Sequence, residues 1–433
     1  MPGKPGLPGN RIGGWVASLA GTALLAGCGL TPVAPAGSTA ASLTPVASAN
    51  SASFLVNIHM FTTGQGVGIG PRGVYATTDG AKTWVPVAPP GVAITAATTA
   101  ALAPGETASG WTAVGLTPDG TAWIVNQAPA HHQLAVYWTA NRGQTWSGGV
   151  FATSLFSQGG GVWVRSLSFL GKETAFITVQ PQHGMSSEPG ELWVTRTGGT
   201  SWTRIAATNH LTWPAAGQVG FLNRTTGWDV ASLTTTTPNV MWETTDGGAT
   251  WTPVSLPGHP AVRLSVLTPP QFFGAKGILP VEYVPQSART VAFSTILYHS
   301  ADGGRTWHAG APVRPSPPGT RVDIISPTTA WLATGYQFNS YSGYPVTGGL
   351  YLTVNGGVSW IRRPASPLLK GLMAKGYAIR QLDFLDLQQG WATTAKLDST
   401  QSGPLLQTQN GGRSWQIVKS VVRRPPKGQS EDA

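Results

Sequence analysis

The chain has 433 residues, among them 56 glycines, 35 prolines and 18 tryptophans, and only 10% of its side chains are charged. Such a composition excludes a coiled coil or a bundle of long amphipathic helices and describes many short strands joined by tight turns. The formal net charge is +10, with no run of Lys and Arg longer than two, which argues against a nucleic-acid footprint.

The first segment reads as a targeting signal. Lys4 and Arg11 form a positive n-region, Ile12 to Ala26 is apolar and too short for a comfortable membrane span, and Leu25-Ala26-Gly27-Cys28 follows. This looks like the lipobox of bacterial lipoproteins, which implies cleavage before Cys28 and acylation of its thiol. Residues 1–27 are then the leader and Cys28 the lipidation site. As the only cysteine it also excludes an internal disulfide framework. Loss of Lys4 and Arg11 lowers the basic count from 27 to 25 against 17 acidic residues, a charge of +8. Residues 28–53 follow as a tether of Ala, Ser, Thr, Pro and Gly, a composition that cannot offset its own ordering entropy.

From residue 54 to 419 one pattern recurs seven times. Its most regular part ends in tryptophan, at Trp84, Trp146, Trp202, Trp251, Trp307, Trp360 and Trp415, each preceded five residues earlier by Asp79, Asn141, Thr197, Asp246, Asp302, Asn355 or Asn410. Successive tryptophans lie 62, 56, 49, 56, 53 and 55 residues apart, the size of a four-stranded blade. A second marker keeps nearly the same period, at Gly66-Val67, Ala122-Trp123, Ala175-Phe176, Gly227-Trp228, Gly277-Ile278, Ala330-Trp331 and Gly390-Trp391. The expected fold is therefore all-β, a seven-bladed propeller, with residues 420–433 as a disordered tail.

Within each unit, strand A ends in an apolar residue such as Phe169, Phe221, Ile325 or Phe384, strand B carries the second marker, strand C leads into the box, and strand D leaves from its tryptophan. The Asp or Asn of the box suits a turn whose backbone N–H groups it accepts, and the glycines after it suit conformations that a Cβ opposes. Seven equivalent copies point to one structural role rather than to metal binding. Thr197 replaces the acid in the third box and Arg142 a glycine in the second, so these two corners are expected to be the least regular.

The box, Thr-x-Asp-Gly-Gly-x-Thr/Ser-Trp, resembles the Asp-box or bacterial neuraminidase repeat. The chain as a whole resembles the photosystem II assembly and stability factors, propellers of this repeat type. That resemblance implies a non-catalytic scaffold, anchored at the membrane, with arginines contacting a membrane protein or an anionic envelope partner. No enzyme activity and no metal or cofactor is expected on this reading. Candidate binding residues are Arg165, Arg321 and Arg380, each four before the marker assigned to its strand A, with Arg263 standing similarly before Leu267. Tyr336, Tyr341 and Tyr344 in the long B–C loop of the sixth unit join them at the same end of the ring. The alternative is a sialidase-like hydrolase, against which the sequence lacks an Arg-Ile-Pro motif and scatters Glu106, Glu188, Glu282 and Asp398 over different blades.

Overall fold

The computed structural model describes residues 55, 57–70, 73–87, 112–116, 122–128, 133–141, 145–153, 155, 162–181, 190–207, 217–230, 241–257, 263–266, 268–284, 294–314, 320–334, 349–396 and 402–422. They form seven antiparallel sheets of the expected four-stranded kind, each built from strands consecutive in sequence. The inner strands are Asn57–Met60, Thr112–Leu116, Val162–Phe169, Gln218–Phe221, Arg263–Val266, Arg321–Ile324 and Tyr377–Phe384. The inner strands of blades 2 and 3, 3 and 4, and 6 and 7 lie side by side, and the last inner strand lies against the first, which joins the two ends of the ring.

Boxes and A–B turns share one end of the ring and are hydrogen-bonded there. The first glycine of the box donates its N–H to the A–B turn of its own blade, as from Gly80 to Gly64 O (2.9 Å), Gly303 to Ala275 O (2.8 Å) and Gly411 to Gln388 O (2.9 Å). Inside the box the acid or amide accepts the N–H four residues on, at 2.7 Å from Thr83 to Asp79 and 2.9 Å from Thr306 to Asp302. The Ser or Thr two residues before it closes the other half, since Ser300 Oγ donates to Asp302 and accepts from Gly304 N. The second glycine abuts the preceding blade with φ near +90°. A Cβ at Gly304 (φ +89°) would stand 2.3 Å from Trp228 Cζ2.

The tryptophans fill the wedges between blades, as their spacing suggests. Strand B of one blade stacks a ring on the strand-A phenylalanine of the next: Phe176 on Phe221 at 3.6 Å, Trp228 on Phe272 at 4.7 Å, Trp331 on Phe384 at 4.1 Å. The box tryptophan then meets that phenylalanine edge-on, at 6.2 Å for Trp251, 6.1 Å for Trp307 and 6.0 Å for Trp415. Such triplets bury large apolar areas in the edge-to-face and offset geometries that aromatic quadrupoles favour.

Several expectations need correction in detail. The third box is regular, because Thr197 Oγ1 accepts from Ser201 N (3.0 Å) just as the carboxylates do elsewhere. The irregular corner among the described residues is the first, where Ala81 takes φ 70°, the left-handed conformation filled by glycine in five other boxes. Arg142 lies outside the described residues. The register places Ile324, not Ile325, opposite Ala330, and Phe272, not Leu267, opposite Gly277, because the inner strand of blade 5 is broken into Arg263–Val266 and Gln271–Phe273.

Two further elements were not foreseen. A helix, Pro367–Ala374, leads into the inner strand of blade 7, capped by Ser366 Oγ on Leu369 N. Val421–Val422, read from sequence as tail, adds a parallel fifth strand to the outer edge of blade 1, held by Val421 N on Lys82 O (2.9 Å) and Ser420 Oγ on Ala81 O (2.7 Å).

Candidate functional site

The inner strands begin at the ring end opposite the boxes, and their exposed edges must be satisfied at every seam. Polar side chains of one blade do this for the next. Ser166 and Ser168 accept from Val219 N (2.9 Å) and Phe221 N (3.0 Å), and Asp323 accepts from Phe384 N (2.6 Å). At the closing seam Gln381 both accepts from Ile58 N (2.8 Å) and donates to Ile58 O (2.7 Å), and Asp383 accepts from Met60 N (2.7 Å). These residues stand one or three places before the strand-A marker. In the sequence the signal is a polar residue immediately before the marker in blades 3, 6 and 7, at Ser168, Asp323 and Asp383.

Arg165, Arg321 and Arg380 lie at the far edge of this capping layer, on blades 3, 6 and 7. Arg321 pairs with Ala333, three rows from the Ile324–Ala330 pair. Arg165 and Arg380 fall at β-bulges, where the register slips between Thr178 and Val179 and between Ile379 and Gln381, so both stand within a row of the same height. Arg165 donates through Nε to Gln180 Oε1, and its partial burial pulls the guanidinium pKa down. Arg263 does not share this level. It pairs with Val284, seven rows from Phe272–Gly277, which at about 3.3 Å per row sets it roughly 13 Å farther along the strand. Tyr336, Tyr341, Tyr344 and Cys28 lie outside the described residues, as do Glu106, Glu188 and Asp398. Glu282 is buried and accepts from Thr320 Oγ1 (3.2 Å) at the seam of blades 5 and 6.

Three guanidinium groups at one level of an all-β ring can hold a carboxylate, sulfate or phosphate, because each planar fork presents paired donors. Among the described residues no group of three His, Cys, Asp or Glu side chains is placed to hold a metal ion.

No family model and no curated protein sequence matches the chain. Solved structures do share its fold. An ulvan lyase of polysaccharide lyase family PL25, bound to a glucuronate–rhamnose sulfate repeat, aligns over 70% of this chain and 81% of its own, with 12% identity and a TM-score of 0.47. The GH93 α-L-arabinofuranosidase of Fusarium graminearum aligns over 80% and 89%, with 11% identity and a TM-score of 0.38. A Hadza microbial sialidase aligns over 71% and 58%, with 14% identity and a TM-score of 0.32. At these identities and TM-scores the likeness is one of propeller fold alone. These structures also correct the expectation that the chain is not an enzyme: all three neighbours are enzymes, so the propeller fold is no ground for excluding catalysis.

Proposed function

We propose that the chain is an extracytoplasmic propeller of the sialidase type, held at the membrane through Cys28, that takes an acidic saccharide at the ring end where the inner strands begin. The observation that supports it is the common level of Arg165, Arg321 and Arg380 on three blades. Asp323 and Asp383 are engaged by backbone N–H groups of the following blade, so they serve the frame rather than standing as a free acid and base.

The test is calorimetric titration with sialyl and uronic-acid oligosaccharides, followed by a search for released sugar or unsaturated product. Binding should weaken between low and high salt, as charge pairing at a solvated site does. Arg165→Gln, Arg321→Gln and Arg380→Gln combined should abolish it. A saccharide that binds or turns over equally well in that triple variant would overturn the assignment.

A further inference from the structure

Between Asp323 and Asp383 the sequence contains no acidic residue, while Arg362, Arg363, Lys370, Lys375 and Arg380 are all basic. The fold sets part of this excess, Lys370 and Lys375, on one rim. The strand Ile361–Arg363 runs away from its box and delivers Arg363 opposite Leu350, and the chain then enters the helix Pro367–Ala374. Leu368, Leu369 and Leu372 turn inward onto a cluster with Ala333, Leu350 and Ile379, which leaves Lys370 and the capping Lys375 exposed. Lys396, also exposed, ends the neighbouring strand opposite Tyr377, two residues after Lys375. Helix and lysines therefore sit on the rim of blades 6 and 7, at the end away from the boxes.

The described chain also enters the ring at that end. The inner strand of blade 1 starts at Asn57 and lies beside Tyr377–Phe384, the strand that the helix precedes. An anchor at Cys28 would thus pull on the same rim that carries the lysines.

We propose that this rim is a docking face for anionic lipid headgroups, with Lys370, Lys375 and Lys396 as its main contacts; the choice of a lipid surface rests on reading Cys28 as the anchor. A basic patch supplies the second signal that firm attachment of a lipidated chain uses. Each lysine near an anionic surface is worth about a fivefold factor in affinity, or about a hundredfold for three.

The experiment is co-sedimentation of the chain from residue 28 onward, carrying Cys28→Ser so that no acyl group contributes. It retains all seven sheets. Vesicles of phosphatidylglycerol with phosphatidylcholine are compared with phosphatidylcholine alone. Lys370→Gln, Lys375→Gln and Lys396→Gln together should weaken binding to the anionic vesicles about a hundredfold. Removing equal charge from exposed positions at the box end, by Lys82→Gln, Lys172→Gln and Lys276→Gln, should change it little. Equal losses in the two triple variants, no loss in the first, or equal binding to neutral vesicles would each overturn the proposal. These readings hold whether or not Cys28 is acylated in the cell, so failure of the anchor and failure of the patch are told apart.

Discussion

Asp383 Oδ1 lies 3.1 Å from His59 Nδ1 across the seam where blade 7 meets blade 1, a separation of 324 residues in sequence. Its other oxygen accepts the Met60 N–H at 2.7 Å, and both side chains are buried. One carboxylate thus joins the two ends of the ring.

Asp383→Ala leaves a buried histidine and a buried backbone N–H without their acceptor. A buried donor left without its acceptor costs about 1–3 kcal/mol. Equilibrium denaturation should show that loss for Asp383→Ala, with Glu173→Ala, an exposed acidic control on the A–B turn of blade 3, close to wild type. Equal midpoints for the two variants would remove the carboxylate from the closing seam.

Gly304→Ala tests packing and backbone strain together, and Gly171→Ala tests strain alone. Both have positive φ, +89° and +97°, but a Cβ at Gly171 meets nothing within 4 Å whereas one at Gly304 strikes Trp228. The left-handed conformation alone costs about 1–2 kcal/mol, and overpacking adds about 1–3 kcal/mol. The Gly304 variant should therefore unfold well before the Gly171 variant; similar midpoints would show that the Trp228 contact carries no energy.

Removing the box tryptophans should hurt stability in proportion to burial. Trp307→Ala empties a buried wedge against Phe272 and should cost about 3–5 kcal/mol. Trp146 is only half-buried and hydrogen-bonds Val87 O of blade 1, so Trp146→Ala should cost less. Thermal denaturation of the pair decides this, and reversal of the order would refute the wedge assignment.

Acid sensitivity follows from the boxes. The bonds from Thr306 hold the Asp302 carboxyl well below the usual carboxylate range. At Asp246 burial pushes upward, but the bonds from Thr250 outweigh it, and at Asp79 those from Thr83 do the same. All three are depressed in the folded state, so their stabilisation is fully present above the ordinary carboxylate pKa of about 4 and is lost as pH falls below it. Unfolding midpoints measured downward from neutrality should stay level and then fall in that acid range. Asp302→Asn, which keeps an acceptor oxygen for Thr306 N but does not titrate, should flatten part of the fall.

Anchoring is tested on Cys28 directly. Cys28→Ser should abolish incorporation of labelled fatty acid and release the protein from the membrane fraction or leave it as precursor; unchanged acylation would refute the lipoprotein reading.

The sequence alone determined the all-β class, the seven blades and the role of the boxes, because those depend on contacts within a few residues and were written seven times. Thr244 to Trp251 carries its own turn, caps and wedge filler, and repetition averaged away the exceptions at Thr197 and Ala81. What only the tertiary structure decided lies between blades or between chain ends. His59 meets Asp383, and Val421–Val422 reaches the edge of blade 1, through distances that no local period encodes. Arg263 was misplaced by counting, because a break in the inner strand of blade 5 adds residues without changing the sequence pattern around them. The helix at Pro367 to Ala374 escaped notice for a related reason. It occurs once, and its apolar face is defined by the Leu350 and Ile379 surface it covers.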